Sequence, residues 1–297
     1  MELASALRLL LLAAIWGSSF MFMRIAAPVM GAVWLIEFRV LFAALFLAVV
    51  SGLLKGRLEL AKHWRAYLTL GAMNTAFPFV LLAYAALTLP ASILSILNAS
   101  APLWGALIAA IFLGQRLSVR ALLGMLLGVT GVSILVGGEF QQASHEQWLA
   151  IAASLAAACC YGIASNYAKR LSGIAPLANA HGSMWGATVI LLPLLLLFPM
   201  PEVSSPGIWT SVVVLGVVCS GVAYLLYFRL IEQVGAASAL TVTFLIPVFG
   251  VLWGSVFLGE DLSWYSLVGS VVVLLGTALV TGFSPRKLWQ ARRKAAA

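Results

Sequence analysis

The sequence predicts an all-α integral membrane protein: ten transmembrane helices, arranged as two inverted five-helix repeats. Three observations carry this expectation. The composition is too apolar for water, apolar stretches recur at spanning length, and the chain resembles itself at a fixed offset of 145 residues. Of the 297 residues, 63% are hydrophobic and 9% charged, and the mean hydropathy is +1.08. An ordinary soluble domain carries about 25% charged residues. A chain so poor in charge cannot cover its surface with polar groups, so its solvent is largely lipid. No linker is long enough to hold a second domain, and 1–297 reads as a single membrane domain.

A span needs about 20 mainly apolar residues. Segments of that kind fall at 5–24, 33–54, 66–88, 91–113, 119–137, 147–168, 177–199, 208–230, 237–258 and 264–283. Pro28, Pro90, Pro176, Pro201 and Pro206 mark turns or ends. Pro78, Pro102 and Pro247 lie inside spans, where each bends its helix and frees a backbone carbonyl. Arg8 followed by Leu9–Ile15 has the outline of a signal peptide. The apolar character runs on through Met23, however, and the segment reads as an uncleaved first span.

The charges orient these spans. With the N-terminus cytoplasmic, inner segments carry Arg8, Lys55, Arg57, Lys62, Arg65, Arg116, Arg120, Lys169, Arg170, Arg229 and the tail from Arg286 to Lys294, together 15 of the 17 Lys and Arg. Glu139, Glu146, Glu202, Glu260 and Asp261 fall in outer loops. Both ends are therefore expected on the cytoplasmic side. The net charge of +8 follows from this bias, and no basic face suited to nucleic acid exists.

The halves 5–137 and 147–283 align without gaps, leaving 284–297 as a basic cytoplasmic tail. Trp16-Gly17 matches Tyr161-Gly162, Pro102 matches Pro247, Phe112-Leu113-Gly114 matches Phe257-Leu258-Gly259, and Gly124 and Gly131 match Gly269 and Gly276. Five is odd, so the second half must enter the bilayer upside down. The basic turn Gly114–Ser118 and its acidic counterpart Gly259–Ser263 obey that requirement. Inverted repeats are the architecture of many secondary transporters, with solute bound near the midplane where the halves meet.

The run Ala14–Phe20, the segment Glu37–Leu41, and Pro102–Ser118 with its repeat Pro247–Ser263 resemble the EamA family of the drug/metabolite transporter superfamily. The resemblance covers nearly the whole chain. It implies ten helices and the export of metabolites across a bacterial-type inner membrane, the family's members including exporters of amino acids and of aromatic amino acids.

Polar and aromatic residues at moderate depth are the candidate solute contacts: Trp16, Asn74, Phe77, Asn98, Tyr161, Asn166, Tyr224 and Thr243. Amides in lipid need partners, so each Asn faces the bundle interior, where it either lines a cavity or bonds a neighbouring helix. Glu37, Arg39, Pro78, Pro102 and Pro247 are candidate gating or structural positions. Glu37 and Arg39 lie two apart and do not share a helix face. Glu37 is expected to pair with Arg24 across the outer loop, as a strut rather than a gate. The motif Gly124–Gly128 is read as close packing within a monomer, with a dimer as its alternative.

No HExxH, P-loop or nucleophile-elbow pattern occurs, so an enzyme and direct ATP drive are not expected, and neither metal nor cofactor is called for. Membrane-centre carboxylates for exchanging protons with cationic drugs are missing, as are the converging basic residues that a phosphorylated solute needs. A neutral or aromatic amino acid fits best; export of drugs or other xenobiotics on the same scaffold is the alternative.

Overall fold

A computed structural model describes residues 3–139, 143–171, 173–200 and 202–282, and all regular structure among these is helical. In chain order the helices are α1 (Leu3–Met30), α2 (Ala32–Leu53), α3 (Leu60–Leu70), α4 (Phe77–Ala85), α5 (Ala91–Asn98), α6 (Ala101–Leu113) and α7 (Val119–Glu139). They continue as α8 (His145–Ala168), α9 (Pro176–Leu195), α10 (Pro206–Val213), α11 (Ala223–Val234), α12 (Ala236–Ala239), α13 (Val242–Leu258) and α14 (Trp264–Thr281). Two π-helical segments, Gly71–Ala76 and Val214–Val222, join α3 to α4 and α10 to α11. The tail 284–297 and Pro201 lie outside the described residues.

Helix suits a lipid-embedded chain because it satisfies every backbone N–H and C=O within its own segment. Eight of these helical stretches are long and apolar enough to cross a membrane. The other two expected spans fall on α9, whose first half carries Asn179, His181 and Ser183, and on α13, which the turn at Leu240–Thr241 shortens to 17 residues. Large apolar side chains such as Leu53, Phe112, Leu126, Leu196, Phe257 and Val271 are more than half exposed. Apolar surface on that scale belongs against lipid tails.

Local chemistry sets the ends. Ser144 and Gln147 form a reciprocal capping box at the start of α8, and the Ser263 hydroxyl accepts from Ser266 N–H at 3.2 Å at the start of α14. Gly114 (φ 63°) and Gly259 (φ 65°) end α6 and α13 in the left-handed region, where a side chain would be strained. Pro28, expected at a turn, instead lies inside α1. The helix runs on to Met30, and Gly31 (φ 70°) makes the break.

Positions 145 apart make reciprocal contacts. α1 packs on α13 and α8 packs on α6. A Cβ on Gly17 would lie 2.6 Å from the Phe249 Cβ and 2.9 Å from the Gly250 nitrogen. On Gly162 it would lie 2.8 Å from the Gly105 nitrogen and 2.9 Å from the Trp104 carbonyl carbon. α7 and α14 form the most extensive pair, with Gly124 against the Gly276 carbonyl and Gly131 against the Gly269 carbonyl. Gly128 lies against Gly276 and Leu103, so the small-residue motif serves packing within the chain.

Candidate functional site

The π-helical segments position the interior polar groups. A π turn accommodates one extra residue and redirects the side chains around it, a feature frequent at functional sites. Asn74 sits in the first segment and Cys219 and Ser220 in the second, and Asn74 and Cys219 are repeat equivalents. Pro78, expected to kink its span, directly follows the first segment inside the continuous helical stretch Leu60–Ala85. Pro102 opens α6 after the turn at Ala99–Ser100, and Pro247 lies inside α13.

From these supports a cluster converges. Asn74 Nδ2 donates to the Tyr224 hydroxyl at 3.2 Å. Trp16 meets the Tyr224 ring edge-on with centroids 6.3 Å apart, and the Tyr227 ring at 5.4 Å. Tyr161 lies within electrostatic range of Tyr224 and of Arg39. Tyr161 and Tyr224 are both half-buried. Four of the sequence-selected residues, Trp16, Asn74, Tyr161 and Tyr224, are thus brought together.

Among the described residues, no hydrogen bond or ring contact joins the other four to this cluster. Asn166 is buried, and its Nδ2 donates to the Gly105 carbonyl at 2.8 Å and the Gly162 carbonyl at 2.9 Å, which ties α8 to α6 across their close approach. The Thr243 hydroxyl donates to the Leu240 carbonyl at 2.8 Å, closing the break before α13. Phe77 is 40% exposed. Asn98 ends α5 half-buried, and among the described residues its Oδ1 has no hydrogen-bond partner.

The expected Glu37–Arg24 strut does not form. Arg24 donates through Nη1 to the Ala86 and Leu87 carbonyls, both at 2.7 Å, and so caps the end of α4. A helix C-terminus offers free carbonyls and partial negative charge, and there they win the guanidinium. Glu37 is buried with Oε2 unpartnered. His181 accepts from Trp185 Nε1 at 2.9 Å on its own helix. A cavity of about 640 Å³ beside Ser204, Trp209 and Thr210 holds none of the selected residues.

Arg39 is the residue whose place the sequence did not reveal. It is 3% exposed, about 10 Å along α2 from Ala32 at 1.5 Å per residue. Its Nε donates to the Ser220 hydroxyl at 3.0 Å, its Nη1 to the Met23 sulfur at 3.6 Å, and its Cζ lies 3.8 Å from the centroid of the Phe79 ring. Among the described residues the ion pairs are those of Glu59 with Lys62 and His63, so no carboxylate faces this guanidinium. The one signal that marks it is the repeat itself. Phe79 aligns with Tyr224, Trp16 with Tyr161 and Asn74 with Cys219, whereas Arg39 aligns with Met184 and is a cation without a counterpart.

Comparison with known proteins agrees with this architecture. A crystal structure of a protein 18% identical superposes with a TM-score of 0.67 over 97% of this chain and 99% of that one, a likeness of fold. A probable terminal-alkyne amino-acid exporter of Streptantibioticus cattleyicolor is 28% identical over 94% of each chain. An uncharacterized transporter of Bacillus subtilis, YvbV, is 24% identical over 93% of this chain and 91% of its own. The model of the EamA-like transporter family matches twice, over residues 3–137 and again over 148–282. With both stretches covered, the chain belongs to the EamA-like transporter family.

Proposed function

We propose that this membrane transporter is a secondary carrier exporting small metabolites, neutral and aromatic amino acids foremost, by alternating access. In this reading ten helices cross the bilayer as two five-helix halves, 5–137 and 147–283, of opposite orientation. Both ends face the cytoplasm of a bacterial-type inner membrane, as the distribution of Lys and Arg supports. The reciprocal contacts of Gly17 with Gly250 and of Gly162 with Gly105 support the two-fold arrangement.

One observation carries the functional reading. Trp16, Asn74, Tyr161 and Tyr224, drawn from both halves, form one half-buried cluster of rings and polar groups inside the bundle. Aromatic faces with a few placed polar groups are the usual lining of a small-molecule site, and a bundle midplane between repeats is where such carriers hold solute. The similarity to a probable amino-acid exporter supports this cargo.

Counterflow in proteoliposomes, with an amino-acid panel set against quaternary ammonium cations and run with and without a pH gradient, tests it. Exchange of labelled aromatic amino acids is expected. Exchange of the quaternary cations with no amino acid exchanged would replace this reading with xenobiotic export.

A further inference from the structure

We propose that Arg39 is the specificity-determining anchor for a carboxylate on the transported solute. The inference rests on the export reading above and narrows it to solutes that present a carboxylate beside an apolar or aromatic body.

A guanidinium stays protonated in a protein, so burial cannot neutralise it. Ionisable groups inside a membrane are costly and pair with one another or mark solute pathways. Among the described residues, those that contact Arg39 are neutral. Ser220 offers one hydroxyl, Met23 a weak sulfur acceptor and Phe79 a ring face, while Tyr161, Tyr224 and Cys219 supply the nearby polar atoms. These contacts orient the group without compensating its charge. Ser220 is itself held, its hydroxyl donating to the Leu215 carbonyl at 3.0 Å, so Nε is fixed and the fork of the guanidinium is preset. A planar fork of N–H donors matches a carboxylate in two parallel hydrogen bonds, and a low-dielectric setting strengthens that match.

The surroundings complete the case. The Phe79 ring lies over the cation, Tyr161 and Tyr224 are within its electrostatic reach, and Tyr224 in turn meets the Trp16 ring and the Asn74 amide. The cluster is assembled from positions related by the repeat, whereas the charge is contributed by one half alone, since Met184 stands at the equivalent place. A single cation suits one carboxylate and is too little for a phosphate ester.

The experiment uses the full-length chain in proteoliposomes with four probes: L-phenylalanine, 3-phenylpropionate, L-phenylalanine methyl ester and phenethylamine. Wild type is expected to exchange phenylalanine at least tenfold faster than the ester or the amine. Exchange of 3-phenylpropionate alongside phenylalanine would assign the selectivity to the carboxylate alone; its rejection would add a requirement for the ammonium group. Arg39→Gln should lower phenylalanine exchange at least tenfold and abolish the preference for acid over ester. Arg39→Gln that keeps both within twofold overturns the proposal. Should that variant fail to fold, Ser220→Ala and ligand-induced thermal stabilisation of wild type decide. Ser220→Ala is expected to raise the KM for phenylalanine severalfold with kcat held, and wild type to be stabilised by the acids and not by the ester. Equal stabilisation by ester and acid, or none by either acid, overturns it. Export of quaternary cations by wild type, with acids still bound in preference to ester, would sink the export reading and leave the carboxylate anchor standing.

Discussion

The Glu260 carboxylate lies across the first turn of α5, where Oε1 accepts from the Ala91 N–H at 2.6 Å and Oε2 from the Ser92 N–H at 2.9 Å and the Ser92 hydroxyl at 2.7 Å. A residue in the turn after α13 thus caps a helix of the other half. It does so because α13 and α5 pack together and Gly254 leaves room, since a Cβ there would come 2.3 Å from Oε2.

Glu260→Ala should therefore destabilise the protein by about 1–2 kcal/mol, the worth of a charged cap at a helix N-terminus. Glu260→Gln should lose part of that. Thermal unfolding of the purified protein in detergent measures both, with Asp261→Asn, at an exposed neighbour, expected to change little.

The close approach of α8 to α6 gives a steric prediction. Gly162→Leu and Gly17→Leu each drive a side chain into the facing helix and should cost about 3 kcal/mol or more. The monodisperse fraction recovered by size-exclusion chromatography should fall sharply for both. Gly137→Leu, where an added Cβ meets nothing within 4 Å, is expected to behave as wild type.

Asn166→Ala should separate packing from transport. It removes the donor to the Gly105 and Gly162 carbonyls and should lower stability by about 1–2 kcal/mol. The KM for exchanged solute should stay unchanged in counterflow.

The aromatic cluster should respond the other way. Trp16→Ala and Tyr161→Ala are expected to impair exchange with expression intact. Tyr224→Phe leaves the Asn74 amide without its acceptor and should cost about tenfold in exchange, equivalent to about 1.4 kcal/mol. Wild-type rates in all three would remove these residues from the solute path.

Much of the helical layout was legible because lipid leaves the backbone few choices and spanning length can be counted. The π-helical segments were not, because a wider turn leaves no periodic trace in residues as uniform as Val214–Val222. Depth could be counted along each span for Asn74, Tyr224 and Asn166 alike, but depth does not say which neighbour a side chain meets. Asn166 follows Gly162 by four residues, so its amide reaches that carbonyl on its own helix and then the Gly105 carbonyl opposite. The partners of Arg39 were hidden for the same reason. Its surroundings come from the π segment at Ser220 and from Tyr161, more than a hundred residues away in sequence, and position along α2 gives no hint of either.

The bolt at Glu260 has a consequence for direction. Its repeat counterpart is Gln115, which lacks the charge; in the aligned sequence Ser92 is matched by Ala237 and Gly254 by Ala109. Among the described residues the Gln115 side chain forms no hydrogen bond. In the alternating scheme proposed above, the two repeat-related turns are unequal, one tied to a facing helix end and the other not. If that tie is made in one of the two exchanging states and lost in the other, its about 1.4 kcal/mol shifts their balance about tenfold, so Glu260→Ala is expected to move the resting population of the empty carrier.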